Sequence, residues 1–193
     1  ANNTIYGTEY PTFPKFDVPV ICDMSSDILS RPVNVADFDL IYAGAQKNLG
    51  PAGVVIVIIK KSFLATARTE LPTMLKYSTF AEMDSLYNTP PVFCIYMVNK
   101  TLHWIKRQGG VETIAKNNAE KPYRSNMNIT FNLATPEMEK DFIAKSKAAG
   151  FVGINGHRSV GGCRASAYNA VPVEACQALA AFMQQYQSEQ AHK

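Results

Sequence analysis

Apolar residues in the first half of the chain come in short runs rather than at helical spacing. Residues 18–22, 40–43 and the β-branched run 54–59 each read as a strand, bounded by Gly, Pro, Asp or Ser. Unbroken runs of this kind predict strands buried on both faces. Between the second and third lies Gly44-Ala45-Gln46-Lys47-Asn48-Leu49-Gly50-Pro51-Ala52-Gly53, rich in residues that permit tight or positive-φ turns, so the chain reverses there as in a hairpin. The stretch 24–39 is long enough for a crossover with a short helical piece. Parallel pairing of the first two strands follows, and with it a mixed sheet.

From Pro91 the pattern turns helical, with Phe93, Met97, Leu102, Trp104 and Ile105 as its apolar positions, until Gly109-Gly110 ends it. A second domain is expected to begin there, dividing the chain into 1–108 and 109–193. It should hold a strand at 127–132, a helix at 136–149 stopped by Gly150, a short strand at 151–154 and another at 163–168. A last helix starts at Pro172, a favoured first-turn residue, and repeats Cys176, Leu179, Ala180, Met183 and Tyr186 on one face. The pattern is α/β in the first part and α+β, without strict alternation, in the second.

Composition narrows the class. With 47% hydrophobic and 18% charged residues the chain is an ordinary globular one, neither disordered nor fibrous. The net charge of +3 comes from scattered basic residues without a stripe, which argues against a nucleic-acid partner. The longest apolar stretch, 54–59, is too short to span a bilayer and the start is polar, so a cytoplasmic location with no membrane association is expected. Cys22, Cys94, Cys163 and Cys176 form no C-x-x-C pair and no metal spacing with His103, His157 and His192. Neither a disulfide framework nor a metal site is expected; three of the four cysteines sit among apolar neighbours, as in Ile21-Cys22 and Phe93-Cys94-Ile95, where inert reduced core thiols lie.

Three stretches carry polar groups that packing alone would not require. Asp23 follows the strand 18–22, at a strand's carboxyl end where α/β sheets contact ligands; Asp23-Met24-Ser25-Ser26 also fits a helix-capping cluster. Lys47 lies in the glycine-rich loop after 40–43. It is either a solvated surface charge or an amine that a pocket desolvates and makes nucleophilic toward an aldehyde. Gly156-His157-Arg158-Ser159-Val160-Gly161-Gly162-Cys163-Arg164 is either a solvated basic loop or a clamp for anions, since guanidinium binds carboxylate and phosphate in a bidentate fork. Together, an amine, a carboxylate able to face a pyridinium nitrogen and an anion clamp are the parts that pyridoxal 5′-phosphate chemistry on an amino acid needs.

The residues 43–53, Tyr87-Asn88-Thr89-Pro90-Pro91, and Gly156-His157-Arg158 through Gly162-Cys163-Arg164-Ala165-Ser166 resemble those of phosphoserine aminotransferases, in the order and spacing of that family. The resemblance is to the family's carboxy-terminal half and runs from Asn3 to the last helix. It implies the aspartate-aminotransferase-like fold of pyridoxal-phosphate enzymes (fold type I) and a homodimer with a composite active site. Lys47 would hold the cofactor as a Schiff base and later move the proton between the substrate α-carbon and the cofactor C4′. Asp23 would pair with the pyridine nitrogen and Thr4 with the phenolic oxygen. Gln46 would bind the cofactor phosphate, and Asn88 and Thr89 that of the partner subunit. Arg164 would take the substrate α-carboxylate, and His157 with Arg158 the substrate phosphate or the glutamate side chain. The implied reaction moves the amino group of glutamate to 3-phosphohydroxypyruvate, giving phosphoserine for serine biosynthesis, with pyridoxine biosynthesis as a further role.

The chain departs from the family in two ways. The part that holds the family's glycine-containing phosphate loop, its ring-stacking aromatic residue and one substrate arginine has no match. The passage 117–126 is also shorter than the family's and lacks a helix, which predicts a missing segment near 118–125. A truncated, inactive chain of the same fold and a sister aminotransferase for another acid are the competing expectations.

Overall fold

The computed structural model describes residues 1–117 and 125–191. In chain order its elements are β1 (Asn2–Asn3), β2 (Thr8–Glu9), β3 (Ile21–Asp23), β4 (Leu40–Gly44), β5 (Val55–Ile59), α1 (Lys61–Leu64), α2 (Tyr77–Glu82), α3 (Val92–Arg107), α4 (Val111–Asn117), β6 (Asn128–Phe131), α5 (Pro136–Ala148), β7 (Cys163–Ser166) and α6 (Val173–Ala191). The chain divides into two compact units, Thr12–Lys116 with Ala1, and Asn117–Lys193 with Asn2–Pro11. This differs from a division at 108/109. The helix α4 stays with the first unit, where Ile114 is buried. The β1–β2 hairpin goes with the second because Ser125 N–H donates to the Gly7 carbonyl and Asn126 N–H to Glu9. The missing segment expected near 118–125 lies largely outside the described residues.

In the first unit β3, β4 and β5 form one sheet in that order. β3 runs parallel to β4, with Ile21 opposite Leu40, and β4 antiparallel to β5, from Leu40 opposite Ile59 to Gly44 opposite Val55. The sheet is mixed, as the loop lengths predict. The crossover contains a 3₁₀ turn, Val35–Asp37, whose N-cap is the Asn34 side chain. Alternation along the strands sends Cys22, Ile41 and Ala43 into a core with Met24, Ile28, Phe38, Leu49 and Val98. The opposite face is covered unevenly: Leu40 is 3% exposed, whereas Ile21, Tyr42, Val55 and Val57 are exposed, Val55 at 64%. Burial on both faces is therefore met only in part. Toward the other end Val55, Val57 and Ile59 line a groove with Tyr77 and Phe80.

α3 packs through Val98, and its last turn carries Lys106 and Arg107 where cations favour the helix dipole. It ends at Gly109 and Gly110, whose N–H groups donate to the Lys106 and Ile105 carbonyls.

In the second unit β6 pairs antiparallel with β7, Asn128 opposite Ser166 and Phe131 opposite Cys163. The Thr135 hydroxyl accepts from Met138 N–H to cap α5, Pro136 opens it, and Glu137 and Glu139 face its positive end. Phe142 is 1% exposed and meets the rings of Phe131, Phe182 and Tyr186 at 5.7, 5.4 and 5.1 Å. From α6, Leu179, Phe182, Met183 and Tyr186 face this core, whereas Cys176 and Ala180 are exposed, so Phe182 takes the place the sequence pattern gave to those two. The strand expected at 151–154 is absent. Gly150 and Gly153 have φ of +93° and +78°, which extended backbone cannot accommodate, and pairing near it is confined to a bridge between Asn155 and Cys163.

All four cysteines are free, Cys22 and Cys163 in the two cores with thiols pushed up by burial, Cys94 half-buried and Cys176 exposed. Of the two cysteines the sequence places among apolar neighbours by name, Cys22 is in a core and Cys94 only half-buried. Among the described residues no cluster of His, Cys, Asp and Glu could hold a metal, and no helix is long and apolar enough to cross a membrane.

Candidate active site

Two places, one in each unit, hold the residues picked out by their chemistry. In the first unit, parallel strands end at the same edge of a sheet, so the carboxyl ends of β3 and β4 lie side by side. Asp23 is the last residue of β3 and pairs with Tyr42, while Gly44 is the last of β4. Ser25 ties the two ends together. Its hydroxyl accepts from Gly44 N–H at 3.0 Å, and its own N–H donates to Asp23 Oδ1 at 2.8 Å. Partial burial pushes the Asp23 carboxyl up, but the Ser25 hydroxyl and amide and the Tyr42 hydroxyl outweigh it, and the net direction is down. Asp23 is thus a carboxylate at neutral pH. The Tyr42 hydroxyl is pushed up by the same neighbour. The capping reading of Asp23 also holds locally, since it accepts from Ser25 N–H in a turn, although no α-helix follows.

Lys47 sits three residues beyond the end of β4, in a turn pinned on both sides. Ala45 and Leu49 are fully buried, Leu49 and Gly50 N–H both donate to the Ala45 carbonyl, and the buried Asn48 side chain donates to the Ile28 carbonyl at 3.0 Å. The backbone carrying the amine is therefore fixed at the same sheet edge as Asp23. Lys47 itself is exposed, as are Gln46 and Asp23. Of the two readings the sequence allowed for Lys47, the described residues show the exposed one. Asn88 and Thr89 are exposed too, and Asn88 donates to the Thr89 carbonyl. Asn88 lines a groove of about 470 Å³ with Val55, Val57, Tyr77, Phe80 and Ile95, an apolar surface that sequence reasoning did not single out.

In the second unit the loop 156–162 closes on itself. Gly156 N–H donates to the Gly162 carbonyl, and Val160 and Gly161 N–H both donate to the His157 carbonyl. A Cβ on Gly156 would lie 1.9 Å from the Gly161 carbonyl oxygen, so no other residue fits there. His157 is half-buried, with Nδ1 2.7 Å from the Ser159 hydroxyl and accepting from Ser159 N–H, which leaves Nε2 as the free ring nitrogen. Arg158 is exposed. Arg164, on β7, donates from Nη1 to the Thr4 carbonyl at 3.2 Å, and its Nε is buried with no acceptor among the described residues. A desolvated guanidinium donor left unpaired costs about 1–3 kcal/mol, and an anion is the partner that would satisfy it. The structure thus brings Thr4 to Arg164, a contact that no sequence pattern announces. Asp23, Gln46, Lys47, Asn88 and Thr89 all belong to the first unit, and Thr4, His157, Arg158 and Arg164 to the second.

The parts present in the first unit fit pyridoxal phosphate. An amine and an ionised carboxylate stand at one sheet edge, and the carboxylate is the group that would keep a proton on a pyridine nitrogen.

Comparison with known proteins identifies relatives of the same kind. The family aminotransferase class-V matches residues 10–130. The phosphoserine aminotransferase of Alkalihalobacillus alcalophilus is 55% identical over 208 residues, covering 96% of this chain and 58% of that protein. That of Bacillus subtilis (strain 168) is 50% identical over 210 residues, covering 98% and 58%. Both alignments are longer than this chain's 193 residues, so these relatives carry positions with no counterpart here. A phosphoserine aminotransferase structure recording radiation damage of its Schiff base superposes with a TM-score of 0.94 at 55% identity, over 97% of this chain and 58% of that one. A pyridoxal-phosphate-bound phosphoserine aminotransferase from Trichomonas vaginalis gives 0.88 at 34%, over 95% and 58%. The chain spans a little under three fifths of the length of these relatives.

Proposed function

The chain belongs to the class-V aminotransferases, with the type I fold of pyridoxal-phosphate enzymes, and on that premise we propose that it is the greater part of a phosphoserine aminotransferase. The observation that carries this reading is the shared sheet edge: Asp23 at the end of β3, kept ionised, beside the pinned turn that bears Lys47 at the end of parallel β4. Pyridoxal phosphate supplies an aldehyde and an electron-withdrawing ring. Asp23 would hold the proton on the ring nitrogen, and Lys47 would hold the cofactor and move the proton at the substrate α-carbon. Thr4 hydrogen-bonds the phenolic oxygen. Gln46 binds the cofactor phosphate, and Asn88 and Thr89 reach that of a partner subunit in a homodimer. Arg164 takes the α-carboxylate. His157 and Arg158 take the second anionic group, a phosphate on the keto acid or the side-chain carboxylate of glutamate, which gives phosphoserine and 2-oxoglutarate for serine biosynthesis. A related phosphorylated keto acid would serve pyridoxine biosynthesis.

The support for substrate class is the pairing of a closed loop presenting His157 and Arg158 with an arginine whose Nε lacks an acceptor among the described residues. Adding pyridoxal phosphate to the protein should produce a near-visible absorbance band that Lys47→Ala abolishes. With glutamate as donor, 3-phosphohydroxypyruvate should be preferred strongly over hydroxypyruvate, and Arg158→Ala should erase the preference. Equal use of the two acids would point to a sister enzyme. A second reading, a chain that keeps the fold and catalyses nothing by itself, is favoured by the exposure of Lys47 and by the 58% span. A protein that stays colourless at saturating cofactor would establish it.

A further inference from the structure

Beneath Arg164 lies a buried amide that the reaction does not use. Asn128, on β6, is 1% exposed, and its side chain is spent within the second unit. Its Oδ1 accepts from Asn2 Nδ2 at 3.0 Å, and its Nδ2 donates to the Ser166 hydroxyl at 3.0 Å and to the Tyr168 hydroxyl at 3.4 Å. One side chain thus joins β1, β6 and β7. A leucine would fill the same space, so the amide is there for the bonds it makes.

What those bonds fix is the turn between β1 and β2. Asn3 Oδ1 accepts from Ile5 and Tyr6 N–H, which shapes the turn from its own side chain. The near leg is held by Asn2 on Asn128. The far leg is held by Thr130, whose hydroxyl donates to the Tyr6 carbonyl, and by Ser125, whose N–H donates to the Gly7 carbonyl. Gly7 lies so close to β6 that a Cβ would stand 2.7 Å from the Asn128 carbonyl oxygen. Thr4 is the residue inside this turn, and its carbonyl receives Arg164 Nη1. The bond at Nη1 restrains the guanidinium, whose buried Nε has no acceptor among the described residues.

We propose that Asn128 is a positioning residue for anion binding: acting through Asn2 and the Thr4 carbonyl, it sets the orientation of the Arg164 guanidinium that receives a carboxylate. This rests on the reading of Arg164 given above. It applies to the carboxylate-binding step and to the chain's own residues, whether or not cofactor is bound.

The test is a titration of the 193-residue protein with L-glutamate, following the Nε–H resonance of Arg164 by NMR, in four forms: wild type, Arg164→Ala, Asn2→Ala and Asn128→Ala. Asn2→Ala cuts the bond from a half-buried residue and leaves Asn128 in place, so it reports even where Asn128→Ala loses fold. In the wild type the Nε–H should exchange slowly with water and shift on adding glutamate. Asn2→Ala should speed its exchange and weaken glutamate binding about three- to tenfold, the worth of one net hydrogen bond, at an unchanged melting temperature. Asn128→Ala should do the same or more. If Arg164→Ala binds glutamate as the wild type does, the reading of Arg164 fails. If Arg164→Ala loses binding while Asn2→Ala keeps wild-type affinity and exchange, the reading stands and the positioning proposal is overturned. A loss in Asn2→Ala that merely tracks a lowered melting temperature also overturns it.

Discussion

Phe142 in the second unit is 1% exposed and meets three other rings of the same chain, whereas in the first unit Ile21 and Val55 stand 58% and 64% exposed on one face of a sheet. The second unit closes over Phe142 with its own helices, α5 and α6. The first buries one side of its sheet and leaves much of the other exposed, and Asp23 and Tyr42 are on the exposed side. Stability and function are thus distributed differently. In the second unit the loop 156–162 is fastened by bonds internal to the unit. In the first, the edge that bears Lys47 is fixed from behind by buried Leu49 and Asn48, while the Lys47 side chain is exposed.

The sharpest way to test the contrast is to remove one core at a time. Phe142→Ala should cost about 3–5 kcal/mol, the usual penalty for a large cavity in a closed core, read as a drop in the denaturant midpoint. Hydrogen-exchange protection should fall in β6 and β7 first and leave β4 protected. Leu49→Ala should cost about 2–5 kcal/mol and do the reverse, loosening the turn at Lys47 and sparing β6. On the open face the same chemistry should do little: Val55→Thr should change stability by no more than about 0.5 kcal/mol. A large loss there would mean that the face is covered in solution.

Much of this arrangement is written locally. The runs 40–43 and 54–59, the turn-forming decapeptide between them and the long connection before them are enough to dictate a mixed three-stranded sheet, because loop length decides between parallel and antiparallel neighbours. Helices with caps are equally legible, as α5 shows with Thr135, Pro136 and Gly150. The strand expected at 151–154 failed because periodicity does not reveal that Gly150 and Gly153 take positive φ. The hairpin at Asn2–Glu9 was missed because two-residue strands have no period, and its pairing depends on Asn128 and Ser125, more than a hundred residues away. Site residues were picked out by chemical type and by likeness to a family. For Lys47 the sequence left a solvated charge and a sheltered amine both open, because burial is a property of what packs against a residue. The bond from Arg164 to the Thr4 carbonyl escaped it for a related reason, since a backbone acceptor carries no side-chain signature. Capping gives a smaller handle on the same unit: Thr135→Ala should cost about 1 kcal/mol, seen as a modest fall in the thermal midpoint of the second unit, with β4 protection unaltered.

The last test concerns the carboxylate on the open face and has the smallest effect on stability. Asp23 has its folded titration point below the ordinary aspartate value, because bonds from Ser25 and Tyr42 outweigh the burial that pushes it up. A depressed carboxyl stabilises the fold at every pH above its unfolded value, and that contribution fades only as the pH falls through the folded value. Near neutrality nothing should change, and the loss should be confined to the acid side of the ordinary aspartate range. Asp23 is exposed, so solvent screening keeps the contribution small. Ser25→Ala removes the hydroxyl and its tie to Gly44 N–H, leaving burial to weigh more. The Asp23 carboxyl carbon followed by NMR should then titrate at higher pH than in the wild type. An unshifted titration would mean that Ser25 does not hold the charge, and the ionised state of Asp23 at the sheet edge would need another source.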